Sequence, residues 1–223
     1  MELVKWQFRN PYHDAQHDTL RTFTFGPHTV AMNQQPDQQI DLHQNTGFLI
    51  WDGAYILSKF LYTHAPLTNR SCLELGAGNA LVSIVARLAG ASRVMATDLA
   101  EYLDFIRSNV SQNKALPGSS VEIEVQELVW GSEGQDVGQF DVVVGSEILY
   151  LEGLHGALLE TVRRAMHAES VAYFVYKDRA LGEHTFQDTA VQHGFRVKEL
   201  PRTFLDSEFQ DDRYHLLRLQ LSE

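Results

Sequence analysis

Cysteine is almost absent from the sequence, which contains only Cys72 in 223 residues. A single cysteine excludes an intrachain disulfide and a zinc site built from several thiolates. Cys72 is therefore expected to fill space in a buried strand. The ten histidines show no spacing typical of a metal site, and no metal is expected.

Long apolar runs and basic residues are also scarce. No run of about 18 apolar residues is present, as a membrane-spanning helix would need, and residues 1–10 do not resemble a signal peptide. We therefore expect a cytoplasmic protein, with the nucleus left open as a second location, and no membrane partner. Lys and Arg number 18 against 29 Asp and Glu, for a net charge of −11. This balance argues against a nucleic-acid partner, which requires a basic patch, and suits a basic protein or peptide. No coiled coil or long apolar edge is evident, so a monomer is expected.

Residues 71–98 contain the most informative pattern in the chain. Apolar residues over 72–75 predict a buried strand, Gly76 and Gly78 a tight turn, and 93–97 a second strand that ends at Asp98. Between them, an apolar stripe with helical spacing consists of Leu81, Ile84, Val85 and Leu88. This order of strand, turn, helix, strand and acid is typical of a nucleotide-binding unit.

The residues of the turn narrow the class of ligand. Gly76 and Gly78 allow the backbone to approach a ligand where a Cβ atom would collide. Asp98 follows Gly76 by 22 residues and is placed to accept hydrogen bonds from two ribose hydroxyls. A dinucleotide motif would have a third glycine where Leu81 stands, so a pyrophosphate ligand is disfavoured. Glu74 is better suited to a cationic ligand.

Strands and helices alternate along most of the chain. Predicted strands cover 72–75, 93–97, 121–125, 140–145, 171–176, 195–200 and 215–221. Predicted helices lie within 46–62, 81–88, 100–113, 154–166 and 184–193. This alternation predicts an α/β fold with a doubly wound, mostly parallel, seven-stranded Rossmann-like sheet.

The N-terminal region is predicted to be a separate extension. Residues 1–21 are polar and expected to be loosely held, whereas 22–32 alternate around a Gly26-Pro27 turn and predict a β-hairpin beside the main domain. We therefore divide the chain into an extension over 1–45 and a main domain over 46–223.

Polar and aromatic residues follow four successive strands of the predicted sheet. They are residues 74–78, Asp98, Trp130 and residues 146–150. In open α/β sheets, ligands bind beyond the carboxyl ends of the strands. The sequence therefore predicts one binding site that these four segments share.

Several motifs together resemble methyltransferase family 16, the class I protein-lysine methyltransferases with a seven-stranded sheet. The motifs are Trp51-Asp52, Glu74-Leu-Gly-Ala-Gly78, Asp98, Leu128-Val-Trp130-Gly131, Phe140-Asp141 and Gly145-Ser-Glu-Ile-Leu-Tyr150-Leu-Glu152. The resemblance covers residues 23 to 200, approximately, and is strongest to the subgroup that methylates lysines of heat-shock chaperones and similar proteins. It implies S-adenosyl-L-methionine as cofactor, a lysine-bearing segment of a chaperone or translation factor as substrate, and a methyltransferase sheet that ends in an antiparallel strand pair.

The resemblance also implies which residues meet the cofactor. Trp51 would line the pocket, Asp98 would hold the ribose, Trp130 would flank the adenine and Ser146 would lie beneath the cofactor. The turn at 76–78 would pass under the methionine part. With Glu74, the predicted cofactor residues are Trp51, Glu74, Gly76, Ala77, Gly78, Asp98, Trp130 and Ser146. The family often has a third glycine where this chain has Ala80.

The D-x-x-Y catalytic motif of the family is matched at 147–150, with Glu147 in place of aspartate. By resemblance, the Glu147 carboxylate would bind the ammonium of the target lysine, and Tyr150 would shape the aromatic wall of the channel. The structural alternative makes Glu147 an acid that stabilises a helix start and Tyr150 a core aromatic. Trp51 has the same alternative as a core residue.

Three other functions stay open on the sequence alone. They are a small-molecule methyltransferase, a nicotinamide-dependent oxidoreductase and a non-catalytic protein-binding module that retains a cofactor pocket. A histidine or arginine target in place of lysine is also open. Residues 176–179 and the acidic stretch 203–213 are interpreted as solvated loops, with substrate contact as the alternative.

Overall fold

The computed structural model describes residues 18–36, 46–65, 67–117 and 121–222. An N-terminal hairpin is formed by β1 (Leu20–Phe25) and β2 (His28–Asn33). The main sheet consists of β3 (Ser71–Leu75), β4 (Arg93–Asp98), β5 (Ile123–Glu127), β6 (Phe140–Ser146), β7 (Met166–Lys177), β8 (Phe195–Glu199) and β9 (Tyr214–Leu221). The helices are α1 (Asp52–Thr63), α2 (Leu81–Leu88), α3 (Leu103–Gln112), α4 (His155–Arg164) and α5 (Phe186–Gln192).

The main sheet has the strand order β5-β4-β3-β6-β7-β9-β8. The first five strands are parallel, and β9 runs antiparallel to both β7 and β8. The sheet is centred on β3, in which Leu73 lies opposite Met95 of β4 and Val143 of β6. The predicted doubly wound sheet of seven strands, with its final antiparallel pair, is confirmed. This order places the carboxyl ends of β4, β3 and β6 side by side.

Alternating residues of the strands send their side chains into two hydrophobic cores. Cys72, Val94 and Val142 face α1, α2 and α3, whereas Leu73 and Val143 face α4 and α5. Strands buried on both faces read as continuous apolar runs, which is why β6 was recognisable in the sequence. The two cores fix the sheet, so the loops beyond its strands start from a rigid frame.

The hairpin packs against α3 through two buried asparagine side chains. Asn113 accepts a hydrogen bond from the Ala31 N–H (3.1 Å) and donates one to the Ala31 carbonyl (2.7 Å). Asn109 makes the same pair of bonds with the backbone of Asn33, at 2.8 and 3.3 Å. Each amide therefore pairs with the β2 backbone as a neighbouring strand would.

Residues 46–51 connect the hairpin to the turn that follows β3, at the carboxyl end of the main sheet. The Arg21 guanidinium donates to the Ile50 carbonyl (2.9 Å), and the Ile50 N–H donates to the Gln34 side chain (2.8 Å). On the other side, the Asn79 amide donates to the Leu49 carbonyl (2.9 Å). The prediction that residues up to 21 are loosely held is wrong for Arg21, which is buried in β1 by these contacts. Residues 1–17 and 37–45 lie outside the described residues, and the division of the chain at residue 45 stays a prediction.

Element boundaries differ from the prediction around α4 and β5. The helix predicted over 154–166 runs from His155 to Arg164, because Met166 pairs with Phe140 and begins β7. The apolar spacing of α4 continues into this strand, so periodicity alone extends the helix too far. β5 begins at Ile123, two residues later than predicted.

Within the described ranges, no helix is long and apolar enough to cross a membrane. The same residues hold no group of three or more His, Cys, Asp or Glu side chains that could bind a metal ion.

Candidate active site

A cavity of about 270 Å³ lies beyond the carboxyl ends of β3, β4 and β6. All of the predicted site residues except Glu74 line it: Trp51, Gly76, Ala77, Gly78, Asp98, Trp130, Ser146, Glu147 and Tyr150. These residues come from five separate segments of the chain. The fold therefore brings together the groups that the sequence predicted for one site.

Glu74 points away from the cavity. As the fourth residue of β3, it faces α2, where one carboxylate oxygen accepts hydrogen bonds from the Ser83 N–H (2.9 Å) and the Ser83 hydroxyl (2.6 Å). Burial raises the pKa of Glu74 to about 8, although the bonds from Ser83 oppose the rise. Glu74 was predicted to contact the cofactor, but its carboxylate does not line the cavity. It holds the start of α2 against β3.

Glu74→Gln is expected to stabilise the folded chain at high pH relative to the wild type. The folded-state pKa of Glu74 lies above its ordinary value of 4.5, so its contribution to stability is complete below about pH 4.5 and is lost as pH rises to about 8. Glutamine carries no such penalty. The difference in unfolding free energy between variant and wild type, measured by urea denaturation, should shift in favour of the variant by about 4 kcal/mol between pH 5 and 9. A difference that stays constant with pH would show that Glu74 titrates normally.

The turn after β3 is shaped for close approach. Gly76 and Gly78 have φ angles of +63° and +52°, in the left-handed region that favours glycine. A Cβ atom on Gly76 would lie 2.8 Å from Ile148 Cγ2, and one on Gly78 would lie 2.8 Å from the Gly47 carbonyl oxygen. Ala80 also has a positive φ, +66°, which explains why glycine suits that third position.

Asp98 ends β4 with its carboxylate against this turn. One oxygen accepts the Gly78 N–H (2.7 Å) and the other accepts the Leu99 N–H (2.8 Å). Burial raises the pKa of Asp98 to about 6, while these two N–H groups favour the ionised form and the charge of Glu101 adds to the rise. Each carboxylate oxygen keeps a further lone pair for a ligand hydroxyl.

An apolar wall stands beside Asp98. It is formed by Leu99, Leu128, Val129, Trp130 and Ile148, all of which line the cavity. The Leu128 N–H donates to the Asp98 carbonyl (2.9 Å), which ties the wall to the end of β4. A flat aromatic base packs well against such a surface.

Glu147 follows β6 in a left-handed conformation, with φ of +56°. One carboxylate oxygen accepts the Gly53 N–H at the start of α1 (3.0 Å). The other accepts the Lys177 N–H (3.3 Å) and the Arg179 guanidinium (2.5 Å). Burial raises the pKa of Glu147, and the Arg179 charge opposes this rise. The positive backbone angle and these three donors aim the carboxylate at a defined point of the cavity wall.

Aromatic rings flank this carboxylate. The Trp51 indole N–H donates to the Thr46 carbonyl (2.8 Å), and the Tyr150 hydroxyl lies 3.4 Å from the Thr46 hydroxyl. The Arg179 guanidinium carbon lies 5.6 Å from the centre of the Trp51 ring. Trp51 and Tyr150 are therefore parts of the cavity wall, and both are fixed by the segment that precedes α1.

Sequence reasoning missed several lining residues, among them Thr46, Gly47 and Arg179. Arg179 follows β7, so its place at the carboxyl edge of the sheet was foreseeable, but its segment was interpreted as a solvated loop. No pattern in the sequence marks Thr46 or Gly47 as part of the site. The acidic stretch 203–213 does not line the cavity, and its Asp211 pairs with Arg213 (2.7 Å).

The described residues fit a nucleoside cofactor without phosphate. Asp98 can accept two hydroxyl donors, and the apolar wall beside Trp130 suits a base. Gly76 and Gly78 have no side chain, so the backbone of the turn itself lines the cavity. Among the described residues that line the cavity, Arg179 is the only basic side chain, and it is paired with Glu147. A pyrophosphate would find no unpaired basic group in this set.

Comparison with known proteins agrees with this geometry. Residues 33–193 match the family model described as lysine methyltransferase. The mouse protein N-lysine methyltransferase METTL21A is 34% identical over 187 residues, which covers 82% of each chain. Its Xenopus tropicalis counterpart is 32% identical over 209 residues, or 93% of this chain and 90% of the other.

The fold is shared more widely than the sequence. A methyltransferase structure from Pyrococcus furiosus superposes with a TM-score of 0.58 at 18% identity, over 75% of this chain and 83% of the other. At this identity the likeness shows the fold alone. The family match covers more than half of the chain, and it removes the nicotinamide-dependent alternative. The chain belongs to the lysine methyltransferase family, as an S-adenosylmethionine-dependent protein-lysine methyltransferase.

Proposed function

We propose that the cavity binds S-adenosylmethionine beside Asp98 and admits the target lysine beside Glu147. The observation that carries this proposal is the strand order, in which Asp98 ends β4 and Glu147 follows β6, on either side of β3. The two carboxylates thus share one cavity while serving different partners. When bound, the cofactor supplies an electrophilic methyl group on a sulfonium.

The residues in the cofactor half of the cavity hold the cofactor in position. Asp98 accepts hydrogen bonds from the ribose hydroxyls, and the wall of Leu128 and Trp130 covers the adenine. Gly76 and Gly78 let the backbone approach the remainder of the cofactor. Ser146, at the end of β6, supports it from below. These groups restrict the cofactor to one orientation, which is the main requirement for an in-line transfer.

The lysine half of the cavity aligns an amine. Glu147 accepts a hydrogen bond from the incoming nitrogen, while Trp51 and Tyr150 exclude water from the side chain. The carboxylate stabilises the charged amine, whereas the apolar walls favour the neutral form that attacks. The amine therefore binds through Glu147 and loses its proton, through Glu147 or to water at the cavity mouth, before transfer. Glu147 contributes direction, and the walls lower the cost of deprotonation.

We further propose that the substrate is a lysine-bearing segment of a chaperone or translation factor. The net charge of −11 suits a basic segment. The enzyme would act as a monomer in the cytoplasm or nucleus, with neither nucleic acid nor membrane as partner. Transfer of labelled methyl groups into a cell extract, followed by mass spectrometry of the labelled band, tests the substrate class. Label in free amines alone would favour a small-molecule substrate.

Glu147→Gln is expected to lower kcat/KM for the protein substrate about 30-fold, because a charge-assisted hydrogen bond to the amine becomes a neutral one. Binding of S-adenosylmethionine should be unchanged, since the cofactor is held beside Asp98. Methyl transfer and calorimetric titration measure the two quantities. Glu122→Gln, an exposed acid outside the cavity, is the matched control. Wild-type transfer by the Glu147 variant would assign this residue a structural role only.

A further inference from the structure

Arg179 occupies the cation-binding position of the lysine half of the cavity. Its guanidinium lies 2.5 Å from a Glu147 carboxylate oxygen and 5.6 Å from the centre of the Trp51 ring. A carboxylate beside an indole is an arrangement that binds cations in general, an ammonium as well as a guanidinium. The chain thus fills with its own side chain the position that suits a substrate amine.

The capacity of Glu147 for further partners is small. Its two oxygens already accept the Gly53 N–H, the Lys177 N–H and the Arg179 guanidinium. A carboxylate offers about four acceptor sites, and its side chain is only 6% exposed. A lysine ammonium, with three donors of its own, competes for these sites with Arg179.

The position of Arg179 allows its guanidinium to leave Glu147 for solvent. It is 29% exposed, against 6% for Glu147, so the guanidinium already borders solvent. It reaches the carboxylate through one nitrogen only, whereas the strongest arginine–carboxylate pairs use two parallel bonds. The same nitrogen also donates to the nearby Lys177 carbonyl at 3.2 Å. Glu147 would keep its two backbone donors, the Gly53 and Lys177 N–H groups, if the guanidinium turned into water.

We propose that Arg179 is a specificity-determining residue that competes with the substrate lysine for Glu147 and Trp51. A lysine in a protein segment makes additional contacts that help it to displace the guanidinium. A free amine lacks those contacts and is excluded. This inference rests on the proposed role of Glu147 and goes beyond it by assigning the discrimination between protein lysines and small amines to one side chain.

The test uses Arg179→Met, which keeps an unbranched apolar side chain and removes the charge. Calorimetry with n-butylammonium chloride, on enzyme saturated with S-adenosylhomocysteine, should show binding about tenfold tighter than in the wild type. The KM for an N-acetyl-lysine amide should fall by a similar factor, about tenfold. Arg202→Met, at an exposed arginine outside the cavity, should behave as the wild type.

Two outcomes overturn the proposal, and neither depends on loss of folding. Unchanged butylammonium binding would show that Arg179 does not compete for the site. A fall in kcat with weaker amine binding would instead make Arg179 a positioning residue for Glu147. Combining Arg179→Met with Glu147→Gln should abolish the gain in amine binding. If Glu147→Gln alone leaves protein methylation unchanged, the proposed role of Glu147 fails, and this result is distinct from a failure at Arg179.

Discussion

Asp98→Ala is expected to weaken S-adenosylmethionine binding about a thousandfold, because hydrogen bonds to a charged group contribute about 1.5–3 kcal/mol each. The carboxylate is placed to accept two ribose hydroxyls, and it also holds the Gly78 and Leu99 N–H groups at 2.7 and 2.8 Å. Alanine removes all of these acceptors and releases the turn that carries Gly78. Isothermal titration calorimetry measures the loss, with NAD as a negative-control ligand.

The control for this experiment is Asp98→Asn. Asparagine keeps the shape of the side chain and one carbonyl oxygen, so the loss of affinity should be smaller, about tenfold. The pKa of Asp98 is raised to about 6, and the ligand binds the ionised form. Wild-type affinity should therefore fall about tenfold between pH 7 and pH 5 as the carboxylate protonates. The asparagine variant lacks the titrating carboxylate, so its affinity should not show this fall. It keeps Glu101, the neighbouring charge that raises the pKa of Asp98. Wild-type affinity in the alanine variant would contradict the assignment.

Gly53→Ala is expected to lower kcat at least about a hundredfold, because displacement of a catalytic group by an ångström has effects of this size. A Cβ atom at this position would lie 2.5 Å from the Glu147 carboxylate oxygen and 2.8 Å from its carboxyl carbon. Gly53 also donates its N–H to the same oxygen at 3.0 Å. The methyl group would therefore push the carboxylate away and break the bond that orients it. Single-turnover methyl transfer measures the effect.

Gly156→Ala separates this effect from the general effect of replacing a helix glycine with alanine. A Cβ atom on Gly156, in α4, would have its nearest neighbour at 3.6 Å, an ordinary contact. This variant should retain wild-type transfer. Thermal unfolding of both variants shows whether the fold is intact. If Gly53→Ala retains wild-type kcat, the position of Glu147 does not limit the reaction.

The architecture could be predicted from the sequence because its signals are local and strong. The continuous apolar run of β6 and the helical stripe of α2 each specify an element, and alternation of such elements specifies a parallel sheet. Residues at the carboxyl ends of these strands then had to meet. For this reason Asp98, Trp130 and Glu147 could be assigned to one site before their positions were known.

The contacts that give each side chain its role could not be predicted. The alternation of β3 sends Glu74 towards Ser83 and away from the cavity, but the motif suggested a ligand contact. The dependence of Glu147 on Gly53 joins residues 94 positions apart. Arg179 pairs with Glu147 just beyond the carboxyl ends of the neighbouring strands β6 and β7. Such contacts depend on three-dimensional packing, and no periodicity in the sequence predicts them.

The attachment of residues 46–51 has a thermodynamic consequence. This segment carries Trp51 and forms one wall of the cavity, and it is bound to the hairpin through Arg21 and Gln34. A ligand that binds the ordered wall more tightly than a disordered one must stabilise the hairpin by the same free energy. Folding of the hairpin and occupation of the cavity are therefore linked equilibria, and the N-terminal strands contribute to affinity without touching the ligand.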